Sequence, residues 1–430
     1  MQPLLDTLQT LAGGNLGLTL GLTLIGACVV QSAILVINSL QRSVSSHEQR
    51  RLARKRLQLQ VKAAQLQCQE SEQAKLLWNG YRKFQIARKQ QECDGVWSFR
   101  LEPHDRKPLP AFRPGQYLTF QLNCPGRDKP VVRCYSLSDS PKPDSYRVTI
   151  KREGPPSDKP ALPPGVASSF FCDQLRDGDI LDVKAPSGHF CLDPAQDTPV
   201  VLIAGGVGMT PMLSMANALA ASGSKRECWF FFGARNGAEH IHRDELEKLR
   251  AHDNIQVHVC YSRPGPLDQL GRDYQHAGRV TVELMKQLLP SNNYQFYLCG
   301  PGPFMQTITD DLRAWGVPDS AVFFEAFGPA TVKKTAAPPP AALTDGPAVK
   351  VIFGKSGKTC EWKPGLSVLE LADAAGIRIE AGCRAGSCGT CVVAIKSGSV
   401  EYLQKTEAQP EDGSCLTCIC RPKTDLVLDA

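Results

Sequence analysis

Four cysteines near the C-terminus constrain this chain more than any other feature. Cys383, Cys388 and Cys391 are separated by four and two residues, and Cys418 follows in a Leu-Thr-Cys context. This is the C-x₄-C-x₂-C…C spacing with which four thiolates hold a [2Fe–2S] cluster. Glycines interspersed along the loop suit a backbone that bends sharply and passes close to sulfide atoms. The spacing therefore predicts a centre that moves single electrons.

A structural zinc site is the alternative interpretation of this region. Two C-x₂-C pairs, the second of which contains Cys415, form an arrangement close to a zinc pattern. That arrangement leaves Cys383 without a role. The segment 348–430 resembles the ferredoxin family. The resemblance implies that Cys415 and Cys420 are bystanders and that the cluster ligands are Cys383, Cys388, Cys391 and Cys418.

Length and composition indicate two or three domains in a reducing compartment. The chain has 430 residues and 17 cysteines, and those outside the predicted cluster stand singly, many of them inside apolar runs. Buried free thiols explain them better than a disulfide framework does. The net charge of +6 is accounted for by residues 42–62, which carry seven Lys/Arg and one Glu. The rest of the chain therefore gives no indication of nucleic-acid binding.

A long uncharged stretch precedes this basic segment. No charge occurs from Thr7 to Gln41, and Leu16 to Ile37 is mostly apolar. This length predicts a transmembrane helix over 14–38, followed by a basic helical stalk over 42–78. A signal peptide is the alternative, and it fits poorly because no Lys or Arg precedes the apolar run. The basic segment predicts a single-pass membrane protein with the N-terminus outside, cytoplasmic catalytic domains and contact with anionic lipid.

Two further domains are predicted from hydrophobic patterning. Short strand-like runs such as Tyr117–Leu122 and Tyr146–Lys151, separated by Pro, Gly and Asp, predict an antiparallel β-barrel over 79–195. Apolar runs that alternate with helical stretches predict a parallel α/β domain over 196–328. The runs are Val200–Ala204, Cys228–Gly233, Ile255–Tyr261, Gln295–Cys299 and Ala321–Glu325.

A proline-rich linker over 329–347 joins these domains to the C-terminal domain, 348–430. The fold class is therefore multidomain. It comprises a transmembrane helix and stalk, an antiparallel β-barrel, an α/β parallel-sheet domain and an α+β ferredoxin domain of the β-grasp type.

Three segments before the linker carry cofactor chemistry. The first is Arg133-Cys-Tyr135-Ser136, with Pro114-Gly-Gln-Tyr117 upstream and a helix start at Gly165 downstream. A flavin needs an aromatic surface, hydrogen bonds to its polar edge, and a cation or helix N-terminus for its phosphates. These segments contain all three kinds of group.

The second and third segments are glycine-containing loops that follow apolar strands. One runs through Gly205-Gly206-Val-Gly208-Met-Thr210-Pro211, and the other is Cys299-Gly300-Pro301-Gly-Pro. Glycines let backbone N–H groups approach a diphosphate, and the helix N-terminus favours its charge.

Together and in this order, these segments resemble the ferredoxin–NADP⁺ reductase superfamily from about Lys83 to Gly328. With a C-terminal ferredoxin domain, the chain resembles oxygenase reductases of the phthalate dioxygenase reductase type and reductases of hybrid-cluster proteins. The resemblance implies a flavin site at Tyr117, Arg133, Tyr135, Ser136, Gly165, Val166, Ser168, Ser169 and Phe327. It implies a nicotinamide nucleotide site at Gly206, Gly208, Thr210, Pro211, Gly300 and Pro301, and catalytic positions at Thr210, Cys299 and Glu325.

The sequence favours one flavin over the other but does not distinguish between the two nicotinamide nucleotides. The sequence Tyr135-Ser-Leu-Ser-Asp139 favours FAD over FMN through its resemblance to FAD-dependent relatives. NADH and NADPH both remain open, because Arg235 and the Ser262-Arg263 pair are either ligands of a 2′-phosphate or ordinary surface residues. The pair His240 and His242 is interpreted as solvated.

The function implied by the resemblance is electron transfer from NAD(P)H through FAD and [2Fe–2S] to an external acceptor. The acceptor classes left open are an oxygenase or desaturase, a haem or hybrid-cluster protein, and a membrane quinone. The alternative is a redox-sensing or scaffold protein with little turnover.

Overall fold

The fold is seen in a computed structural model of the chain. It describes residues 21, 23–39, 51–58, 60–61, 64, 68, 75–127, 129–155, 161, 163–193, 196–325, 327, 349–382, 384, 386, 389–403 and 410–430. The chain divides into two compact units, Met1–Lys75 and Leu76–Ala430. The predicted linker lies outside the described residues, as do Cys383 and Cys388.

In the first unit, residues 23–39 and 51–58 are helical. Among the residues that the structure describes, no helix is both long and apolar enough to cross a bilayer. The prediction of a single-pass membrane protein with cytoplasmic domains is therefore wrong, and the expected contact with lipid is not supported.

The second unit begins with an antiparallel six-stranded sheet, as the β-rich texture predicted. Its order is β4-β3-β6-β1-β2-β5. An antiparallel bridge between Leu137 and Val148 joins the segment after β4 to β5 and brings the two edges of the sheet together. A short helix, α1 (Val166–Ser169), runs into a π-helical turn over Phe170–Gln174. The strands are β1 (Arg82–Cys93), β2 (Val96–Pro103), β3 (Tyr117–Leu122), β4 (Val131–Ser136), β5 (Tyr146–Lys151) and β6 (Ile180–Val183).

A parallel six-stranded sheet follows, in the order β10-β9-β8-β7-β11-β12. Its central strands are buried on both faces, which explains why they read as continuous apolar runs. The strands are β7 (Val200–Gly205), β8 (Cys228–Ala234), β9 (Ile255–Tyr261), β10 (His276–Ala277), β11 (Gln295–Cys299) and β12 (Val322–Glu325). The helices are α2 (Met209–Ala221), α3 (Arg243–Leu249), α4 (Val282–Leu288) and α5 (Gly302–Ala314).

The C-terminal part is ferredoxin-like, with a five-stranded sheet in the order β14-β13-β19-β15-β17 and a two-stranded sheet of β16 and β18. Its helix, α6 (Val368–Ala374), begins with a capping box between Ser367 and Glu370. The strands are β13 (Lys350–Phe353), β14 (Lys358–Glu361), β15 (Val392–Ser397), β16 (Val400–Tyr402), β17 (Ser414–Leu416), β18 (Cys420–Pro422) and β19 (Leu426–Leu428).

The barrel and the parallel-sheet domain meet in a buried junction. Val96 and Leu192 of the barrel segment belong to the same hydrophobic core as β7, β8 and α2. His240 and His242 are buried on the parallel-sheet side, so the interpretation of this pair as solvated is wrong. Burial of these polar rings is offset by hydrogen bonds, with Tyr261 for His240 and with Thr149 for His242.

The barrel core generates a stability prediction. Phe120 is fully buried, and its ring packs against Tyr135 and Phe171. We expect Phe120→Ala to lower the free energy of unfolding by about 3–5 kcal/mol, because the truncation leaves a cavity that rigid neighbours cannot fill. Urea titration of the holoprotein, followed by near-ultraviolet circular dichroism, measures it. Leu270→Ala, at a 63% exposed position, is the control and should stay within about 0.5 kcal/mol. Equal effects of the two changes would contradict this account of the core.

Candidate functional site

The predicted flavin residues of the barrel lie on two paired strands. Tyr117 on β3 is opposite Ser136 on β4, and Arg133 is exposed at the middle of β4. The Tyr135 ring packs edge-on against Phe171, with ring centroids 5.2 Å apart. Burial raises the pKa of the Tyr135 hydroxyl, so it stays a neutral hydrogen-bonding group near pH 7. Tyr117 is buried, and its ring packs against Gly188.

The predicted phosphate-binding residues stand at the start of α1. The Ser168 hydroxyl donates to Gly165 O and accepts from the N–H of Glu153, both at 3.1 Å, so its hydrogen-bonding capacity is largely used. Ser169 Oγ, in contrast, is buried and has no hydrogen-bond partner among the residues that the structure describes. A buried hydroxyl without a partner is costly, and a phosphate oxygen of a bound flavin nucleotide would satisfy it.

A basic cleft of about 160 Å³ adjoins this phosphate-binding region. Arg133 and Val166, both predicted flavin residues, line it together with Arg127 from the barrel. The opposite wall comes from the ferredoxin-like domain and includes Arg378 and Arg384. Four guanidinium groups line the cleft, of which Arg378 pairs with Glu380 at 3.3 Å and Arg384 with Asp373 at 2.9 Å. Arginine guanidinium groups are suited to an anionic phosphate. The donor set of the barrel therefore fits a flavin nucleotide.

The two glycine loops predicted to bind the nicotinamide nucleotide lie against each other at the carboxyl ends of adjacent parallel strands, β7 and β11. A Cβ atom at Gly208 would stand 2.3 Å from Cys299 O and 2.7 Å from Gly300 N, so only glycine fits there. Gly206 has a φ of 56°, in the left-handed region that glycine tolerates. The edge where such loops meet is where open α/β sheets bind ligands.

The remaining nucleotide-loop residues are packed into the fold. The two loops pack closely on each other. A Cβ atom added at Gly205 would lie only 3.2 Å from Pro301 Cδ of the second loop. Thr210 and Pro211 are buried in the first turn of α2. The Thr210 hydroxyl donates to Val207 O at 3.1 Å, so this side chain shapes the loop.

Three predicted residues meet between the barrel and the parallel sheet. Glu325 on β12 is in register with Cys299 on β11, and the Ser136 hydroxyl donates to Glu325 Oε2 at 3.2 Å. Burial raises the pKa of the Cys299 thiol well above its usual value, and the nearby Glu325 carboxylate adds to this shift. Cys299 is therefore a neutral thiol and not a thiolate nucleophile. Phe327, the other predicted residue of this segment, is 42% exposed.

Two of the four predicted cluster ligands are described, and they lie together. Cys391 Sγ and Cys418 Sγ are 3.1 Å apart, close enough for both to bind one iron ion. The backbone of the loop is tightly turned, with a φ of 76° at Gly386 and 71° at Gly389. A Cβ at Gly386 would come within 2.3 Å of Ile419, the residue after Cys418, so the loop packs directly on the fourth ligand's segment.

The other two cysteines of this region are separate from the cluster ligands. Cys415 and Cys420 are buried together in the main core of the ferredoxin-like domain, whereas Cys391 and Cys418 belong to a different hydrophobic cluster. A hydrogen bond with Cys415 and burial both raise the pKa of Cys420. Cys415 is thus placed as a packed thiol, which disfavours the zinc alternative.

A second basic cleft, of about 380 Å³, lies at the carboxyl edge of the parallel sheet. It is lined by Arg235, Ser262, Arg263, Gly278 and Arg279, the segments that follow β8, β9 and β10. The backbone ties these segments together, since Arg263 N donates to Arg235 O at 2.8 Å and Gly278 N donates to Tyr261 O at 2.8 Å. Sequence reasoning missed Arg279, because it follows a two-residue strand that leaves no hydrophobic pattern.

Comparison with known proteins assigns a family to each of the three domains of the second unit, namely the barrel, the parallel-sheet domain and the ferredoxin-like domain. Residues 83–191 match the model of the oxidoreductase FAD-binding domain, 202–310 the oxidoreductase NAD-binding domain, and 352–423 the 2Fe-2S iron-sulfur cluster binding domain. A flavohemoprotein of Halalkalibacterium halodurans is 40% identical over 263 residues, which are 61% of this chain and 63% of that protein. The chain thus spans less than two thirds of the length of the curated relatives it matches.

Two solved structures are also similar. The FAD/NAD-binding domain of nitric oxide dioxygenase from Vibrio cholerae shares 32% identity, with a TM-score of 0.51 over 58% of this chain and 100% of that domain. Phthalate dioxygenase reductase shares 27% identity, with a TM-score of 0.50 over 82% of this chain and 98% of that protein.

The matched domains and the site geometry define an NAD(P)H-dependent flavin oxidoreductase, with FAD and a [2Fe–2S] cluster as its cofactors and NAD(P)H as its co-substrate. The chain belongs to the ferredoxin–NADP⁺ reductase superfamily and carries its [2Fe–2S] domain at the C-terminus.

The contact between the two glycine loops generates a prediction. Gly208→Ala should lower kcat/KM for the nicotinamide nucleotide at least about 100-fold, because the backbone of the second loop must move and misplace the ring. Steady-state kinetics with ferricyanide measures it, and the FAD content should be unchanged. Gly154→Ala, where a Cβ meets no atom of the described residues within 4 Å, is the control. A Gly208→Ala protein with wild-type kcat/KM would show that the loops do not form the nucleotide site.

Proposed function

We propose that this protein passes electrons from NAD(P)H through its FAD and its [2Fe–2S] cluster to a protein acceptor outside the chain. The observation that carries the proposal is the basic cleft shared by the barrel and the ferredoxin-like domain. Arg384 lines this cleft together with Arg133 and Val166, and it directly follows the predicted cluster ligand Cys383. The predicted cluster loop therefore lies next to the predicted flavin site.

The chain's own residues have distinct tasks in this scheme. When bound, the flavin accepts two electrons at once and the cluster carries one at a time. Arg133 and Ser169 hold the flavin phosphates, and Ser136 and Glu325 form a polar contact at the boundary with the nicotinamide site. Gly208 lets the nucleotide loops approach closely, and the buried Cys299 thiol excludes water at this point.

The similarity to phthalate dioxygenase reductase supports a protein acceptor. That structure is described as modular, with electron transfer from pyridine nucleotides to [2Fe-2S], and it aligns with 82% of this chain. By its name it serves a dioxygenase. An oxygenase, or another protein with a one-electron centre, is accordingly the acceptor class that we assign to this chain.

A cysteine substitution tests the role of the cluster. Cys418→Ser should lower NAD(P)H-dependent reduction of cytochrome c by at least about tenfold, because one-electron delivery leaves from the cluster. Reduction of ferricyanide, which takes electrons from the flavin itself, should be retained.

Cys420→Ala is the matched control, since Cys420 is a neighbouring cysteine that is more deeply buried and packs in the domain core. It should keep the iron content and both activities. The proposal fails if Cys418→Ser leaves cytochrome c reduction unchanged. Holoprotein with both cofactors that reduces neither acceptor would instead indicate a sensing or scaffold protein.

The second basic cleft supports NADPH as a nucleotide that the chain accepts. Three arginines line the cleft, and no carboxylate is among the described residues that line it. Arg235 pairs with Glu239 at 3.0 Å, whereas neither Arg263 nor Arg279 takes part in any ion pair between described residues. A 2′-phosphate on the adenosine ribose carries the charge and the oxygen acceptors that these two guanidinium groups require.

Arginine substitutions test this placement. Arg263→Ala and Arg279→Ala should each lower kcat/KM for NADPH by about 10- to 100-fold, the range expected for a lost charge-assisted hydrogen bond of about 1.5–3 kcal/mol. The value for NADH should change less than about twofold, since NADH has no 2′-phosphate. Arg272→Ala, at an exposed arginine outside the cleft, is the control. Equal losses for the two nucleotides would show that the 2′-phosphate does not bind there.

A further inference from the structure

A polar cluster is built into the junction between the barrel and the parallel-sheet domain. Its barrel members come from β1, β5 and the segment after β4, and its other members come from α2, α3 and the residue before α3. We call it the junction cluster. It consists of Glu92, Ser138, Arg147, Thr149, Asn217, His242 and Glu245.

The centre of the junction cluster is an ion pair across the domain boundary. Both terminal nitrogens of Arg147 on β5 donate to the Glu245 carboxylate on α3, with Nη2 2.9 Å from Oε2. The side chains are 17% and 25% exposed. Burial alone would raise the pKa of Glu245, but hydrogen bonds from His242 and Arg147 hold it below its usual range. The two-pronged geometry fixes an orientation as well as a distance.

His242 makes a second bond across the same boundary. Its ring Nε2 lies 3.0 Å from Thr149 Oγ1 of the barrel. Its Nδ1 lies 3.2 Å from Glu245 Oε1 and 3.4 Å from Glu92 Oε2. The backbone of His242 is left-handed, with a φ of 53°, so the chain accepts an unfavourable conformation to present this ring.

On the barrel side, the junction cluster reaches the flavin strand. Arg147 donates through Nε to Ser138 Oγ at 3.2 Å and through Nη2 to Ser138 O. Thr149 Oγ1 is 2.9 Å from the same hydroxyl. Ser138 is fully buried and stands two residues after Ser136, which contacts Glu325 at the flavin site. A shift of Arg147 therefore moves the end of the strand that holds the flavin.

On the other side, the junction cluster reaches the helix that carries the nicotinamide loop. Asn217 of α2 donates to Glu245 Oε2 at 3.1 Å, and Ser214 of α2 donates to Asp139 O of the barrel at 2.8 Å. Helix α2 starts at Met209, directly after Gly208. The same carboxylate, Glu245, is thus bonded to the flavin side through Arg147 and to the nicotinamide side through Asn217.

We propose that Arg147 and Glu245 are positioning residues that set the distance and angle between the flavin ring and the nicotinamide ring. The inference rests on the proposed placement of the two nucleotides, one held by the barrel and the other by the parallel-sheet domain. Neither side chain touches the reacting atoms. Hydride transfer needs the two rings in near contact, and a displacement of about 1 Å costs about 100-fold in rate. A rigid bond between the two domains supplies that precision.

The test separates geometry from binding and from folding. Holoprotein is mixed anaerobically with NADPH in a stopped-flow instrument, and flavin reduction is followed as the loss of absorbance near 450 nm. For Arg147→Lys and Glu245→Gln we expect the limiting rate to fall at least about tenfold, with the apparent Kd for NADPH within about threefold. The long-wavelength charge-transfer band of the nicotinamide–flavin complex should weaken in the same variants, since it depends on ring overlap.

Two further variants complete the experiment. Arg82→Lys is the matched control, because Arg82 makes an equivalent two-pronged pair with Asp105 entirely within the barrel. It should leave the limiting rate and the band unchanged, even if the melting temperature falls. His242→Asn keeps a residue type that tolerates the left-handed backbone and removes the ring. It should also slow flavin reduction.

The outcomes are distinct. Loss of melting temperature with a wild-type limiting rate and band in Arg147→Lys and Glu245→Gln would overturn the proposal and leave the cluster a structural feature only. An equal loss of rate in Arg82→Lys would overturn it as well. A wild-type protein whose flavin is not reduced by NADPH or NADH would instead count against the proposed function itself.

Discussion

The hydrogen bond from Ser136 Oγ to Glu325 Oε2 joins the two halves of the reductase at the point where they must act together. Ser136 ends the barrel strand of the flavin motif, and Glu325 ends the last strand of the parallel sheet. The strand register carries Glu325 next to Cys299, and Cys299 O in turn limits Gly208 to glycine. One chain of contacts therefore runs from the predicted flavin motif to the predicted nicotinamide loop. Each cofactor site has its own scaffold, and this boundary decides whether the two sites meet.

Much of this arrangement follows from local sequence. Tyr117–Leu122, Ile255–Tyr261 and Gln295–Cys299 form strands with the predicted bounds, because continuous apolar runs bounded by turn residues leave few alternatives. The glycine loops could be predicted for the same reason, since a strand that runs into glycines and then a helix has a well-defined geometry.

Sequence-based prediction fails where contacts with distant segments determine the environment of a side chain. His242 looks solvated in its own segment, yet its partner Thr149 is 93 residues away on a barrel strand. Arg279 joins Arg235 and Arg263 only because β10 pairs with β9 in parallel, which a two-residue strand does not reveal. At the N-terminus, low charge and apolar composition suggested a membrane span, but the described helical residues do not make one.

The ferredoxin-like domain adds a second boundary. The presence of flavin and iron–sulfur domains on one polypeptide raises the effective concentration of each for the other, so docking needs little affinity of its own. The cleft between them is rich in arginine, and the flavin phosphates lie beside it in the proposed arrangement. A phosphate between Arg133 and Arg384 would accept hydrogen bonds from both sides of the boundary. Cofactor binding and domain docking are then favourable together.

The most direct test of the central claim is single-turnover reduction of the holoprotein at several protein concentrations. Anaerobic mixing with one equivalent of NADPH, followed at wavelengths that separate flavin from cluster, gives the rate at which the cluster is reduced. The account predicts that the flavin is reduced first, and that the cluster follows at a rate independent of protein concentration, because both lie within one chain. A cluster rate proportional to protein concentration, or a cluster that stays oxidised while the flavin is reduced, would contradict it.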